Sequence, residues 1–332
     1  MEPTRILVTG SSGQIGTNLC LRLLREGRHV LGVDLRENAW TPEIETALTD
    51  LRDPAALETA LSERGFDPEM VVHLAAHAKV FELTVRPERA MENVAMAFNV
   101  LEYCRKHQML LIFGSSREVY GDIHHRVADE SLADFVIAES PYSASKIAAE
   151  AFVYSYAKCY ELCHIVFRFS NVYGRYDDDI ERMERVVPLF IHRIASGEPI
   201  TVYGPEKVLD FTYVDDCVDG VIKGIEKLAC DEIQGETFNI AYGEGRSLTD
   251  LAEIIGRCLG VTPDVRCRAS RPGEVTRYVA DLRKACAELG YRPTTPLEEG
   301  IPKAVEWQRE FHEGESHPLA SAEPNRADSR LQ

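Results

Sequence analysis

The segment TGSSGQIG (residues 9–16) restricts the fold of this chain more than any other. It lies between an apolar run, RILVT, and a helical pattern, IGTNLCLRLLREG. Gly10, Gly13 and Gly16 therefore fall after a strand and at the mouth of a helix. Gly10 permits a tight turn, Gly13 lets a diphosphate approach the backbone, and Gly16 lets helix and strand pack closely. The helix, with Gln14 and Ile15 in its first turn, then presents unpaired N–H groups to the phosphates. Asp34 closes the next apolar run, HVLGVD, about 20 residues further on. A carboxylate there accepts hydrogen bonds from an adenosine ribose diol and repels a 2′-phosphate. The pattern predicts a βαβ unit that binds NAD rather than NADP, with Arg36 as the one nearby residue that would suit a 2′-phosphate.

MVVHLAA and MLLIFGSS read as further strands, and the residues from about Pro87 to His107 as a long helix. Strands alternating with helices imply a parallel sheet. Their continuous apolar runs imply burial on both faces. After about Asn171 the elements shorten and the loops lengthen. The expected architecture is α/β: a doubly wound parallel sheet over residues 1–170, and a smaller mixed α/β lobe over 171–313, partly interleaved with it. Residues 314–332 read as a disordered tail. A net charge of -17 argues against nucleic acid or an anionic membrane as partner. The nine cysteines form no C-x-x-C pair and read as reduced thiols of a cytoplasmic protein. No apolar run approaches the roughly 18 residues of a membrane span. A strand beginning so early leaves no room for a signal peptide.

SPYSASKIAAE (140–150) reads as a helix start, with Ser140 as N-cap and Pro141 in the first turn. Tyr142 and Lys146 are four apart and share one face. A tyrosine with its ordinary pKa near 10 is a poor base at neutral pH. A neighbouring ammonium and a cationic nicotinamide ring would both lower that pKa. Tyr142 could then take a proton from a sugar hydroxyl while NAD removes hydride from carbon. Upstream, GSSREVYG (114–121) places Ser116 at the end of a buried strand, where its hydroxyl would hold the same oxygen. In TDLRD (49–53), Asp50 is a candidate acceptor for the adenine amino group and Asp53 a candidate helix N-cap.

With these residues in place, the chain resembles the extended short-chain dehydrogenase/reductases, and among them the NAD-dependent nucleotide-sugar epimerase/dehydratase family. The resemblance covers about residues 4–310. It rests on TGSSGQIG, HLAA (73–76), ENVAMAFNVLE (92–102), GSSREVYG, YSASK, RFSNVYG (168–174), DFTYVDD (210–216) and RPGE (271–274). It implies a Rossmann-type first lobe that holds NAD and a second lobe that binds a nucleotide sugar, with a UDP-sugar expected. It assigns Ser116, Tyr142 and Lys146 to catalysis. It places Asn93, Leu51 and Ala75 on the cofactor side, and Asn171, Arg185 and Arg271 near the substrate's diphosphate. It also implies a homodimer built on the helices beginning near Pro87 and Tyr142.

The shared first step of that family is oxidation of the sugar at C4. A 4-epimerase, on a hexose or hexuronate, is the favoured continuation. UDP-glucuronate decarboxylation using Glu118 is the alternative, and a 4,6-dehydratase fits less well, because Arg117 stands where such enzymes often carry aspartate. If residues 116–118 stay extended, Ser116 and Glu118 share a face and Arg117 points away. Leu209 stands where the family often has arginine, so a phosphate or ring contact is expected from elsewhere, with Lys207 a candidate. His77 is a candidate contact to nicotinamide or substrate. The acidic run YDDDIE (176–181) reads as a solvated loop, His124 and His125 as exposed, and no metal is expected. A regulatory NAD-binding scaffold is the non-enzymatic alternative, and retention of Tyr142 and Lys146 speaks against it.

Overall fold

The structure, a computed structural model, describes residues 4–120, 138–177, 185–271 and 273–312. The expectations for His124, His125, residues 178–181 and the tail lie outside them. In chain order the strands are β1 Arg5–Thr9, β2 His29–Asp34, β3 Thr46–Leu48, β4 Met70–His73, β5 Leu110–Ser116 and β6 His164–Phe169. They continue as β7 Asn171–Tyr173, β8 Ile200–Tyr203, β9 Val208–Tyr213, β10 Glu236–Ile240, β11 Gly245–Ser247 and β12 Val265–Arg268. Seven of them form one parallel sheet in the order β10-β6-β5-β4-β1-β2-β3.

This sheet is buried on both faces, as its continuous apolar strands require. Alternation along β1 sends Ile6 and Val8 into one apolar layer and Leu7 into the other. The chain leaves β1 towards β2 on one side and returns to β4 on the other. That reversal opens a crevice beyond the carboxyl ends of β1 and β4, the place where doubly wound sheets bind ligands. β10 joins the same sheet beside β6, although more than sixty residues separate them in sequence. Two small sheets stand beyond it: β11-β9-β7, which is mixed, and the parallel pair β12-β8.

The helices that shape the site are α1 Gln14–Arg25, α2 Ala56–Arg64, α3 Val80–Val85, α4 Glu88–His107 and α5 Pro141–Tyr160. α5 begins as its sequence predicts. Ser140 caps it, accepting from Ser143 N, the Ser143 side chain answers the Ser140 backbone, and Pro141 occupies the first turn. α2 starts later than expected. Ala55 stands at its N-cap, and Asp53 accepts from the Ala55 N–H one turn earlier.

A second expectation fails where it matters more. Extended backbone ends at Ser116, and Arg117–Tyr120 form a 3₁₀ turn. The Glu118 N–H donates to Ser116 Oγ across that turn at 3.2 Å. Strand alternation therefore does not separate Arg117 from Glu118.

Candidate active site

A cleft of about 710 Å³ runs from the glycine loop, across the ends of β1, β4 and β5, to the start of α5. At one end Gly10 has a φ of +75°, and a Cβ there would meet Ala75 N at 2.8 Å. A Cβ on Gly16 would lie 2.1 Å from Gly10 O, so only glycine lets α1 sit this close to its own turn. Gly13 is different, since its Cβ would meet only Gly10 O, at 3.3 Å, and its open side faces the cleft. Gly13 also caps α1 without a side-chain hydrogen bond, which leaves first-turn N–H groups to a bound anion. The Asp34 carboxylate accepts from Ser12 N at 3.0 Å and Arg36 N at 3.3 Å at the adenosine end. Gln14 Nε2, Thr49 Oγ1 and Ser115 Oγ line the same cleft, buried and without hydrogen-bond partners among the described residues. Glycine cradle, helix terminus, acidic strand end and unpartnered polar atoms together fit a dinucleotide.

At the other end, Ser116, Tyr142 and Lys146 converge. All three are nearly buried and line the cleft. Lys146 Nζ donates to Gly114 O at 2.8 Å and lies 6.0 Å from the centre of the Tyr142 ring. Burial pushes the Tyr142 phenol up to about 12, opposed by the hydrogen-bonding Ser116 hydroxyl. The downward shift expected from the sequence is thus absent in the protein alone, because desolvation outweighs the nearby cations. Burial also brings Lys146 down to about 8, with Glu150 acting against it. The Glu150 carboxylate is held by Arg168, whose Nε and Nη2 reach it at 3.0 and 2.7 Å, so β6 anchors the helix that carries Tyr142 and Lys146.

The cleft brings together Gly10, Gly13, Gln14, Ile15, Gly16, Asp34, Leu51, Ala75, Ser116, Glu118, Tyr142, Lys146, Asn171 and Arg185. Four other candidates, Asp50, Asn93, Arg271 and Lys207, are not among its lining residues. Asp50 is tied to Arg52, with Nη2 at 2.6 Å from Oδ2. Asn93 is buried and bonds both the N–H and the C=O of His77, as well as Ser145 Oγ, so it positions the cleft wall from behind. The Arg271 guanidinium sits 4.0 Å from the Tyr203 ring centre and 4.9 Å from that of Phe81. Arg185 hydrogen-bonds Gln14 Oε1 and lies 3.5 Å from Asp177. Lys207 faces Glu274 at 2.5 Å and does not line the cleft. His77 does line it, with Nε2 2.8 Å from Glu92.

Sequence reasoning passed over Trp40 and took Asp177, in YDDDIE, for part of a solvated loop; both stand in the cleft wall, and Asp177 is buried. A tryptophan in the polar stretch ENAWTPE was the available signal for the first. Asp177 had none, since it looks like any member of an acidic run.

The model of the NAD dependent epimerase/dehydratase family matches residues 6–241, and the chain belongs to that family. It is accordingly an NAD-dependent enzyme. A crystal structure of UDP-glucose 4-epimerase with UDP-glucose from Thermotoga maritima superposes with a TM-score of 0.85 at 30% identity, covering 92% of this chain and 99% of that one. UDP-glucuronic acid 4-epimerase from Bacillus cereus, in complex with UDP-glucuronic acid and NAD, gives 0.81 at 26% identity over the same shares. The dTDP-glucose 4,6-dehydratase of Salmonella typhimurium is 28% identical, over 91% of this chain and 92% of its own length.

Proposed function

We propose that the protein is a UDP-sugar 4-epimerase, with a hexose or hexuronate as the sugar. The observation that carries this reading is the buried convergence of Ser116, Tyr142 and Lys146 in a cleft continuous with the glycine loop. NAD, when bound, supplies the acceptor and donor of the electron pair at C4. Ser116 Oγ and the Tyr142 phenol hold the C4 oxygen, and Tyr142 moves its proton. Lys146 fixes the charge beside that phenol. After the ketone turns over, the same groups return the proton on the way to the opposite configuration. Loss of water or carbon dioxide would require Glu118 to move a proton at C5, and one of its two carboxylate oxygens, Oε1, is held by Arg117 at 2.9 Å. In this reading residues 1–170 carry the cofactor and 171–313 the nucleotide sugar, with Asn171, Arg185 and Arg271 towards the diphosphate.

The test is product analysis by mass and proton NMR with UDP-glucose, UDP-glucuronate and dTDP-glucose. Unchanged mass with inverted C4 is expected. Loss of 4-epimerisation in favour of dehydrated or decarboxylated product would replace the reading with a lyase. NAD that copurifies without any turnover would leave only a regulatory scaffold.

A cytoplasmic homodimer completes the proposal. Among the described residues no helix is long and apolar enough to cross a membrane, and all nine cysteines are free. Met91 and Phe98 on α4 and Phe152 and Tyr160 on α5 are exposed, and the Phe98 and Phe152 rings touch across the two helices at 5.7 Å. Such a patch favours association of the α4/α5 face. Light scattering is expected to give twice the chain mass, and a monomer mass would exclude the dimer.

A further inference from the structure

We infer that the sugar end of the cleft selects a neutral hexose, and that Arg117 and Glu118 are the residues that turn a carboxylate-bearing sugar away. The inference rests on the epimerase reading for the kind of ligand. Its starting point is the 3₁₀ turn, which sets both side chains in the cleft wall directly after Ser116. Arg117 is largely spoken for: Nη2 reaches Glu118 Oε1 at 2.9 Å and Asn171 Oδ1 at 3.2 Å. Its guanidinium also lies 5.6 Å from the Tyr278 ring centre.

One donor and one acceptor remain. Arg117 Nη1 and Glu118 Oε2 are both buried with no hydrogen-bond partner among the described residues. Buried polar atoms left over in a site call for a partner of matching chemistry. A hydroxyl or an acetamido group both accepts and donates, so it can answer Nη1 and Oε2 together. A carboxylate only accepts. It would answer Nη1 while setting its own negative charge against Oε2.

The surrounding charge points the same way. Lys207 is already matched by Glu274 at 2.5 Å. Among the described residues that bear most on Glu118, two cations, Arg117 and Lys207, face three carboxyl groups, those of Glu118, Glu274 and Glu139. Like charges brought together at a desolvated site are a strong means of rejection.

Equilibrium titration of the NAD holoenzyme with UDP, UDP-glucose, UDP-N-acetylglucosamine and UDP-glucuronate tests this. The neutral sugars are expected to bind at least about ten-fold more tightly than UDP-glucuronate. Glu118→Gln is expected to shrink that ratio at least about five-fold, by admitting the uronate, while UDP itself binds as before. Wild-type preference for UDP-glucuronate, or an unchanged ratio in a variant that still binds UDP, would overturn the inference. If Glu118→Gln fails to bind UDP, the wild-type ranking alone decides. NMR on the same mixtures keeps the two readings apart: neutral-sugar selectivity without C4 inversion sinks the epimerase and leaves the selectivity standing.

Discussion

Turnover of the Tyr142→Phe variant is expected to fall by roughly 10²–10⁴-fold, the usual worth of a positioned acid–base group. NAD should stay bound. The change removes one hydroxyl and leaves the ring, which is 7% exposed, in its place beside Leu83 and Ala90. The glycine loop and Asp34 lie at the other end of the cleft and are untouched. The phenol is the group that can hold a proton at C4, and Ser116 Oγ, its hydrogen-bonding neighbour, has too high an ordinary pKa to replace it. A steady-state assay beside the absorbance of copurified cofactor separates chemistry from binding. Near-wild-type turnover with full NAD content would remove Tyr142 from the mechanism. Loss of both together would assign it to cofactor binding instead.

The largest effect on stability is expected at the ion pair behind the site. Arg168→Met should cost about 3–5 kcal/mol, because it strands the Glu150 carboxylate in the interior. Both side chains are only 4–5% exposed, so water cannot take over the role of the guanidinium. The Tyr154 hydroxyl, 3.0 Å from Glu150 Oε2, offers a single neutral donor in exchange for a bidentate cation. Urea unfolding measures the loss. The double variant Glu150→Leu/Arg168→Met should recover most of it, since removing both charges also removes the penalty for burying one alone. A double variant as unstable as the single one would mean that packing of Arg168, over the Tyr120 ring at 4.8 Å, matters more than its charge.

What could be read from the sequence was what the chain encodes locally. The glycine turn, the Ser140 cap and the spacing of Tyr142 to Lys146 each depend on residues a turn or two apart, and each takes its predicted form. The parallel sheet was legible for a similar reason, because strands covered on both faces must be continuously apolar. Arg117 and Glu118 were not legible. Their direction depends on where β5 stops, and a shift of one residue at a strand end exchanges faces. The contact of Arg185 with Gln14 and the parallel placement of β10 beside β6 are long-range, and no spacing in the chain announces them. Asp50 shows a limit of another kind. A carboxylate suited to an adenine amino group is equally suited to the arginine two residues away, and at close range the arginine takes it.

Trp40, in the cleft wall, packs against Trp307 of the helix Leu297–Phe311 with ring centres 5.7 Å apart, and Tyr176 and Phe311 close the cluster around them. These are the only two tryptophans of the chain. The indole fluorescence of the protein therefore comes from one spot at the rim of the cleft. A reduced nicotinamide, which absorbs where indoles emit, would quench it from nearby. The oxidation state of the cofactor during turnover can thus be followed optically in the native chain, without a label.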